Sequence, residues 1–262
     1  MEIPLAQSLI IALTVGAASG SIGAFVVLKR MALVGDALSH VALPGIALAL
    51  IYHLDPFWGV IVSLLGAAFL VFWLETRTKL PTEALIGLLF TVSLAIGILA
   101  IPDTEILESL FGGFPTLSTP LFGIIIAASL AATILTFLFA KNFAFRAVSP
   151  EVAEVNGIKQ RYNLYFLIVF AAVVALGIKL AGTLLMGALT IIPASIAKNV
   201  ARNIKSYIFL STFLGAVISA AGVVIAYSLN LMPGPAIILL GIFVFIASLF
   251  FRTSAQSAIK NF

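Results

Sequence analysis

The chain has 262 residues, of which 62% are hydrophobic and 9% charged, with a net charge of +4 and no cysteine. An average soluble domain carries roughly 25% charged residues. One water-surrounded core could not hide this much apolar surface, whereas a bilayer solvates it, so a soluble globule is excluded. The missing cysteines exclude disulfides, thiolate metal sites and thiol redox chemistry.

Taken in chain order, Met1–Gln7 lacks a signal-peptide pattern, since it carries Glu2, has no Lys or Arg and runs into a long apolar stretch. Apolar stretches follow at 6–28, 33–52, 57–74, 84–101, 121–140, 162–178, 181–193, 206–229 and 235–252. A spanning segment needs about 20 apolar residues and must satisfy its own backbone hydrogen bonds, so these are predicted helices. The expected fold class is all-α, a polytopic helical membrane protein of eight or nine spans in a single domain, 1–262. The segment 181–193 is too short to cross comfortably. Lys29 and Arg30, Arg77 and Lys79, Lys141 to Arg161, Lys198 to Lys205, and Arg252 with Lys260 fall in every second connection. Of the fourteen basic residues only Lys179 lies on the other side. The positive-inside rule then predicts the N-terminus outside and the C-terminus in the cytoplasm. The positive charge is therefore topology, and nucleic acid is not an expected partner.

Two cytoplasmic stretches exceed a turn. In Lys141–Arg161, Ser149-Pro150-Glu151 reads as a helix N-cap with proline at the first helical position, and Gly157 as its C-cap. The second, 191–207, has Pro193 at the membrane edge and then small apolar residues alternating with basic ones at helical spacing. The outer connection 101–120 has no Lys or Arg, three acids (Asp103, Glu105, Glu108) and Gly112-Gly113.

Nine of the ten acids lie near a span end or in a connection, and Asp36 is the exception. His40 follows four residues later, so both side chains share one helix face. Ionisable groups in a bilayer cost at least about 2.5–3.5 kcal/mol and normally face a cavity with a function. A carboxylate and an imidazole one turn apart suit zinc, manganese or iron. The pair could instead be a hydrogen bond that joins helices. Two ligands do not complete a site; a two-fold dimer would supply four, and water can fill positions. Pro44 has no N–H for the His40 carbonyl one turn back, which either frees that oxygen for the same cavity or makes an ordinary kink. His53, beside Asp55, reads as a solvated loop residue. Gly16, Gly20 and Gly23 put small residues on one side of the first span for helix packing. There is no GxxxxGK[ST] and no HExxH, and two histidines leave no plausible Ser–His–Asp set.

The segments RMALVGDALSHVALPGIALAL (Arg30–Leu50), SPEVAEVNGI (Ser149–Ile158) and AGTLLMGALTIIPASIAKNVAR (Ala181–Arg202) resemble the permease subunits of ABC-type zinc, manganese and iron importers. The resemblance runs over nearly the whole chain. It implies a plasma-membrane homodimer, cytoplasmic ATPase subunits that bind the ATP, an extracytoplasmic metal-binding protein, and no permanently bound cofactor. It carries the metal ligands onto Asp36 and His40. A more distant likeness to vitamin B12 and siderophore permeases, around Gly187–Arg202 and Pro233–Gly241, implies that Pro193, Ala194, Ala197, Lys198 and Arg202 belong to an ATPase-coupling segment. A surface helix resting on anionic lipid is the other reading of that stretch. A proton-coupled secondary carrier, with Asp36–His40 as proton relay, is the alternative function. A membrane enzyme or scaffold is a third class, and the missing catalytic constellation argues against the enzyme.

Overall fold

The computed structural model describes residues 3–78, 80–100, 118–183 and 185–250. Each of the nine apolar stretches forms helix: α1 (Ile3–Leu28), α2 (Ala32–His40) with α3 (Leu43–Ile51), α4 (Pro56–Thr78), α5 (Thr82–Ala100), α6 (Thr119–Leu138), α9 (Arg161–Ala181), α10 (Met186–Val200), α11 (Ile204–Leu229) and α12 (Pro233–Phe250). Two short helices, α7 (Ala140–Val148) and α8 (Pro150–Val155), lie between α6 and α9. Strands are absent among the described residues. The expectations for Lys79, for Asp103, Glu105, Glu108 and Gly112-Gly113, and for Arg252 and Lys260 lie outside them.

Among the described residues seven spans are long and apolar enough to cross a membrane, counting α2 and α3 as one. The apolar part of α5, Thr82–Gly97, is shorter. The fifteen residues of α10 rise about 22 Å at 1.5 Å each, short of the ~30 Å hydrocarbon layer. These two account for the remainder of the eight or nine spans expected.

Lipid is as apolar as leucine, so helices in it associate through close packing rather than through apolar burial. The centre of the bundle is accordingly built on small residues. A Cβ on Gly16 would strike the Gly215 carbonyl of α11, one on Gly20 the Ser211 carbonyl, and one on Gly23 the Thr190 carbonyl of α10. Ser211 Oγ donates to the Gly20 carbonyl at 2.5 Å and Tyr207 Oη to the Ala24 carbonyl at 3.2 Å. The glycine side of the first span thus seats α11 and α10. Helices α1 and α9 are central, with 72% of their apolar windows buried, whereas α6 is peripheral at 22%.

The caps follow the sequence. Ser149 Oγ accepts from the Val152 N–H at the start of α8. Gly157 (φ 73°) closes it: its N–H bonds the Glu154 carbonyl and the Ile158 N–H bonds the Ala153 carbonyl, the paired bonds of a Schellman motif. Helix α7 has no counterpart in the sequence reading; it buries Phe143 and Arg146 on one side.

The predicted orientation has a direct test, because the chain has no native cysteine. Single cysteines at Ser118 and Glu151, both exposed, are to be treated with a membrane-impermeant thiol reagent on intact cells. Ser118→Cys should label and Glu151→Cys should stay dark until the membrane is opened; the reverse pattern would invert the topology.

Candidate functional site

Asp36 and His40 both lie on α2, which starts at Ala32 and ends at His40. The carboxylate is therefore one turn into the span, nearer its basic end than its middle, and the imidazole closes the helix. Residues 41 and 42 then turn in a tighter spiral, with Val41 N–H bonding the Leu38 carbonyl and Ala42 N–H the Ser39 carbonyl. Helix α3 resumes with Pro44 in its first turn, where a missing N–H costs nothing. Pro44 therefore begins a second helical segment after one tighter turn, through which Val41 and Ala42 keep right-handed helical dihedrals. Ser63 Oγ of α4 takes up the Val41 carbonyl at 2.7 Å.

His40 is buried at 7% exposure, and its Nδ1 has no hydrogen-bond partner among the described residues. Its ring lies 5.5 Å from that of Phe90 on α5, tilted by 56°. Asp36, by contrast, is exposed on the single chain. The pair thus joins a sheltered, unpaired ring nitrogen to an open carboxylate. No third His, Cys, Asp or Glu joins them among the described residues. His53 is exposed, with φ 54°, and its neighbour Asp55 faces Lys179 at 3.8 Å.

A second discontinuity meets the first. Between α9 and α10 the chain turns at Gly182, whose φ of 77° and ψ of 169° only glycine adopts readily. Ser39 Oγ, fully buried between Asp36 and His40, lies 2.5 Å from the Thr183 carbonyl and 2.7 Å from that of Asp36. Four residues further, Gly187 presses on the Asp36 backbone: a Cβ there would sit 2.6 Å from Asp36 N and 2.8 Å from its Cα. Gly35 faces the Gly187 Cα in return. Half-helices meeting inside a bundle are where transporters place ion sites. The small residues around the pair, Gly35 and Ser39 among them, point in the sequence to close packing beside a cavity, whereas Gly187 and Phe90 carry no such signal.

The segment 191–207 is not a separate helix. It is the end of α10, an extended step at Ala201, and the start of α11, capped by Asn203 Oδ1 accepting from the Ser206 N–H at 2.8 Å. Pro193, Ala194 and Ala197 are packed inside the chain, while Lys198 and Arg202 are exposed. What this segment can offer a partner is therefore its basic tip.

This is a polytopic α-helical transport protein in which an interrupted span and the turn between two further helices meet beside one carboxylate–imidazole pair. Residues 3–252 match the model of the ABC 3 transport family, and the chain belongs to that family, as a membrane-spanning permease. It is 31% identical to the manganese import system permease protein ScaB of Streptococcus gordonii, over 98% of this chain and 94% of that one. It is 29% identical to the high-affinity zinc uptake system membrane protein ZnuB of Haemophilus influenzae, over 88% and 91%. Among solved structures, PsaBC from Streptococcus pneumoniae in complex with Fab superposes with a TM-score of 0.82 at 32% identity, covering 99% of this chain and 95% of that one. An inward-facing metal-chelate type ABC transporter shares the fold, with a TM-score of 0.76 at 20% identity, over 94% and 85%.

The tightness at Gly187 makes a measurable claim. Gly187→Ala should cost about 1–3 kcal/mol by overpacking, read as a lower thermal midpoint in detergent. Gly123→Ala on α6, where an added Cβ meets nothing within 4 Å, should leave the midpoint unchanged or raise it. Equal behaviour of the two variants would show the α2–α10 contact to be loose.

Proposed function

We propose that this permease imports a divalent first-row transition metal, manganese or zinc in the first place and iron by the same ligand chemistry, and that Asp36 and His40 hold the ion in passage. The observation that carries this reading is the buried His40 Nδ1 with no partner, one turn from an exposed carboxylate. An imidazole nitrogen hidden from water is costly unless something fills its lone pair, and a divalent ion does so. Manganese and zinc are the metals named for the relatives.

Two ligands from one chain are too few, and the exposure of Asp36 gives the rest of the site a source: a second copy related by two-fold symmetry brings another Asp36–His40 pair, with water completing the shell. An incomplete, partly aqueous shell also lets the ion leave. ATP binding and hydrolysis belong to separate cytoplasmic ATPase subunits, and an extracytoplasmic binding protein delivers the metal to this multi-pass plasma-membrane subunit.

Helix α10 supplies the link between the two ends. Its basic tip, Lys198 with Arg202 just beyond, is the part available to dock an ATPase. Pro193, Ala194 and Ala197 brace that tip from within the chain. Its other end carries Gly187, in contact with the Asp36 backbone. A push on the tip is therefore delivered to the carboxylate through a single rod, and the cargo site opens alternately to the two sides.

The test is uptake of radiolabelled manganese and zinc, in competition, by vesicles containing the permease with its ATPase and binding protein. Asp36→Ala and His40→Ala should each lower uptake at least about tenfold, while the subunits still co-purify and hydrolyse ATP; undiminished uptake in both variants defeats the site. Metal ligands must be deprotonated, so uptake by the native complex should also decline in acid.

A further inference from the structure

A polar recess lined by five charged residues has no part in this scheme. It is a cavity of about 520 Å³ at the basic end of the bundle, where α1, α4, α7 and α9 finish or begin, and Lys29, Glu75, Glu83, Arg146, Glu154 and Asn163 are among its lining. Its charges are sorted by depth. The acids at its rim, Glu83 and Glu154, are exposed. The third acid, Glu75, is already engaged: Asn163 Nδ2 donates to its Oε2 at 2.6 Å and Thr82 Oγ1 to its Oε1 at 3.0 Å.

The cations lie deeper. Lys29 Nζ donates to Asn163 Oδ1 at 2.5 Å and sits 4.4 Å over the Phe166 ring, with no carboxylate in direct contact among the described residues. Burial lowers its pKa to about 8; Glu75 opposes the shift and Arg146 adds to it. The Arg146 side chain is 8% exposed. One of its terminal nitrogens, Nη1, reaches the outlying Glu154 at 3.3 Å, whereas Nε and Nη2 are buried without a partner. Those two nitrogens form one edge of the guanidinium, and their parallel N–H groups match two oxygens of a single oxyanion. A buried guanidinium edge without an acceptor is strongly unfavourable, and a second cation stands beside it.

We propose that this cavity is an oxyanion site of the phosphate class, in which the Nε–Nη2 edge of Arg146 takes two oxygens and Lys29 balances the remaining charge. A tetrahedral anion has oxygens for both cations. The anion has two sources, the headgroup of an anionic phospholipid at the membrane surface or free phosphate, and the same residues would hold either. The inference stands apart from the transport reading, since it needs neither metal nor ATPase.

The full chain purified in detergent is to be titrated with inorganic phosphate, with phosphatidylglycerol and with phosphatidylcholine, against potassium chloride at matched ionic strength, and its thermal midpoint followed. Wild type should gain several degrees with phosphate, which identifies a free anion, or with phosphatidylglycerol but not phosphatidylcholine, which identifies a headgroup. Arg146→Gln should need at least about tenfold more ligand for the same rise. Arg146→Lys keeps the charge and loses the paired edge, so it should give a reduced rise, and it serves if the glutamine variant does not fold. Native mass spectrometry of wild type should count one such anion per chain, independent of any variant. A midpoint that neither ligand moves, a rise undiminished in both variants, or no retained anion would overturn the site.

Discussion

Close approach of backbones at glycine is the constraint on which the rest of this molecule depends. In lipid the apolar faces of helices gain little by leaving the solvent, so position has to be fixed by contact distance. Gly16, Gly20 and Gly23 bring α11 and α10 against α1, and Gly187 and Gly35 bring α10 against α2. The last contact is the consequential one. It is made by main chain on both sides, so it fixes the location of Asp36 without engaging the carboxylate itself. Ser39 adds direction, tying the same half-helix to the Thr183 carbonyl in the turn before α10.

The burial of His40 and the exposure of Asp36 follow from this seating. With α10 against the backbone at Asp36 and α5 supplying Phe90 beside the imidazole, the ring is enclosed and the carboxylate is left on the open side of the helix. An exposed carboxylate cannot rest against hydrocarbon chains without large cost, so that open side belongs to water or to another protein surface.

Much of this was legible in the sequence, for particular reasons. A bilayer imposes its thickness on every span, so nine apolar stretches became nine helical segments, and the short one before Pro193 stayed short. Ser149 and Gly157 announced a small helix because a hydroxyl acceptor and a left-handed residue have specific uses at its ends. Pro44 announced the discontinuity after His40. What the sequence withheld were meetings between distant segments. Gly187 is about 150 positions from Asp36 and nothing local marks one as the seat of the other. Residues 191–207 show the same limit. Small apolar residues alternating with basic ones describe a helix packed into its own chain on one side as well as one that offers that side to a partner, and the burial of Pro193, Ala194 and Ala197 separates the two.

The break at Val41–Ala42 divides one span between two anchorages. Below it, α2 is fastened to α10 and the Thr183 turn; above it, α3 is fastened to α4, where Gly45 and Gly59 touch and Ser63 holds the Val41 carbonyl. Both halves also rest on α5, so the joint itself is held from a third side. A displacement of α10 would therefore reach this joint through α2, and the residue standing at the end of that lever is His40.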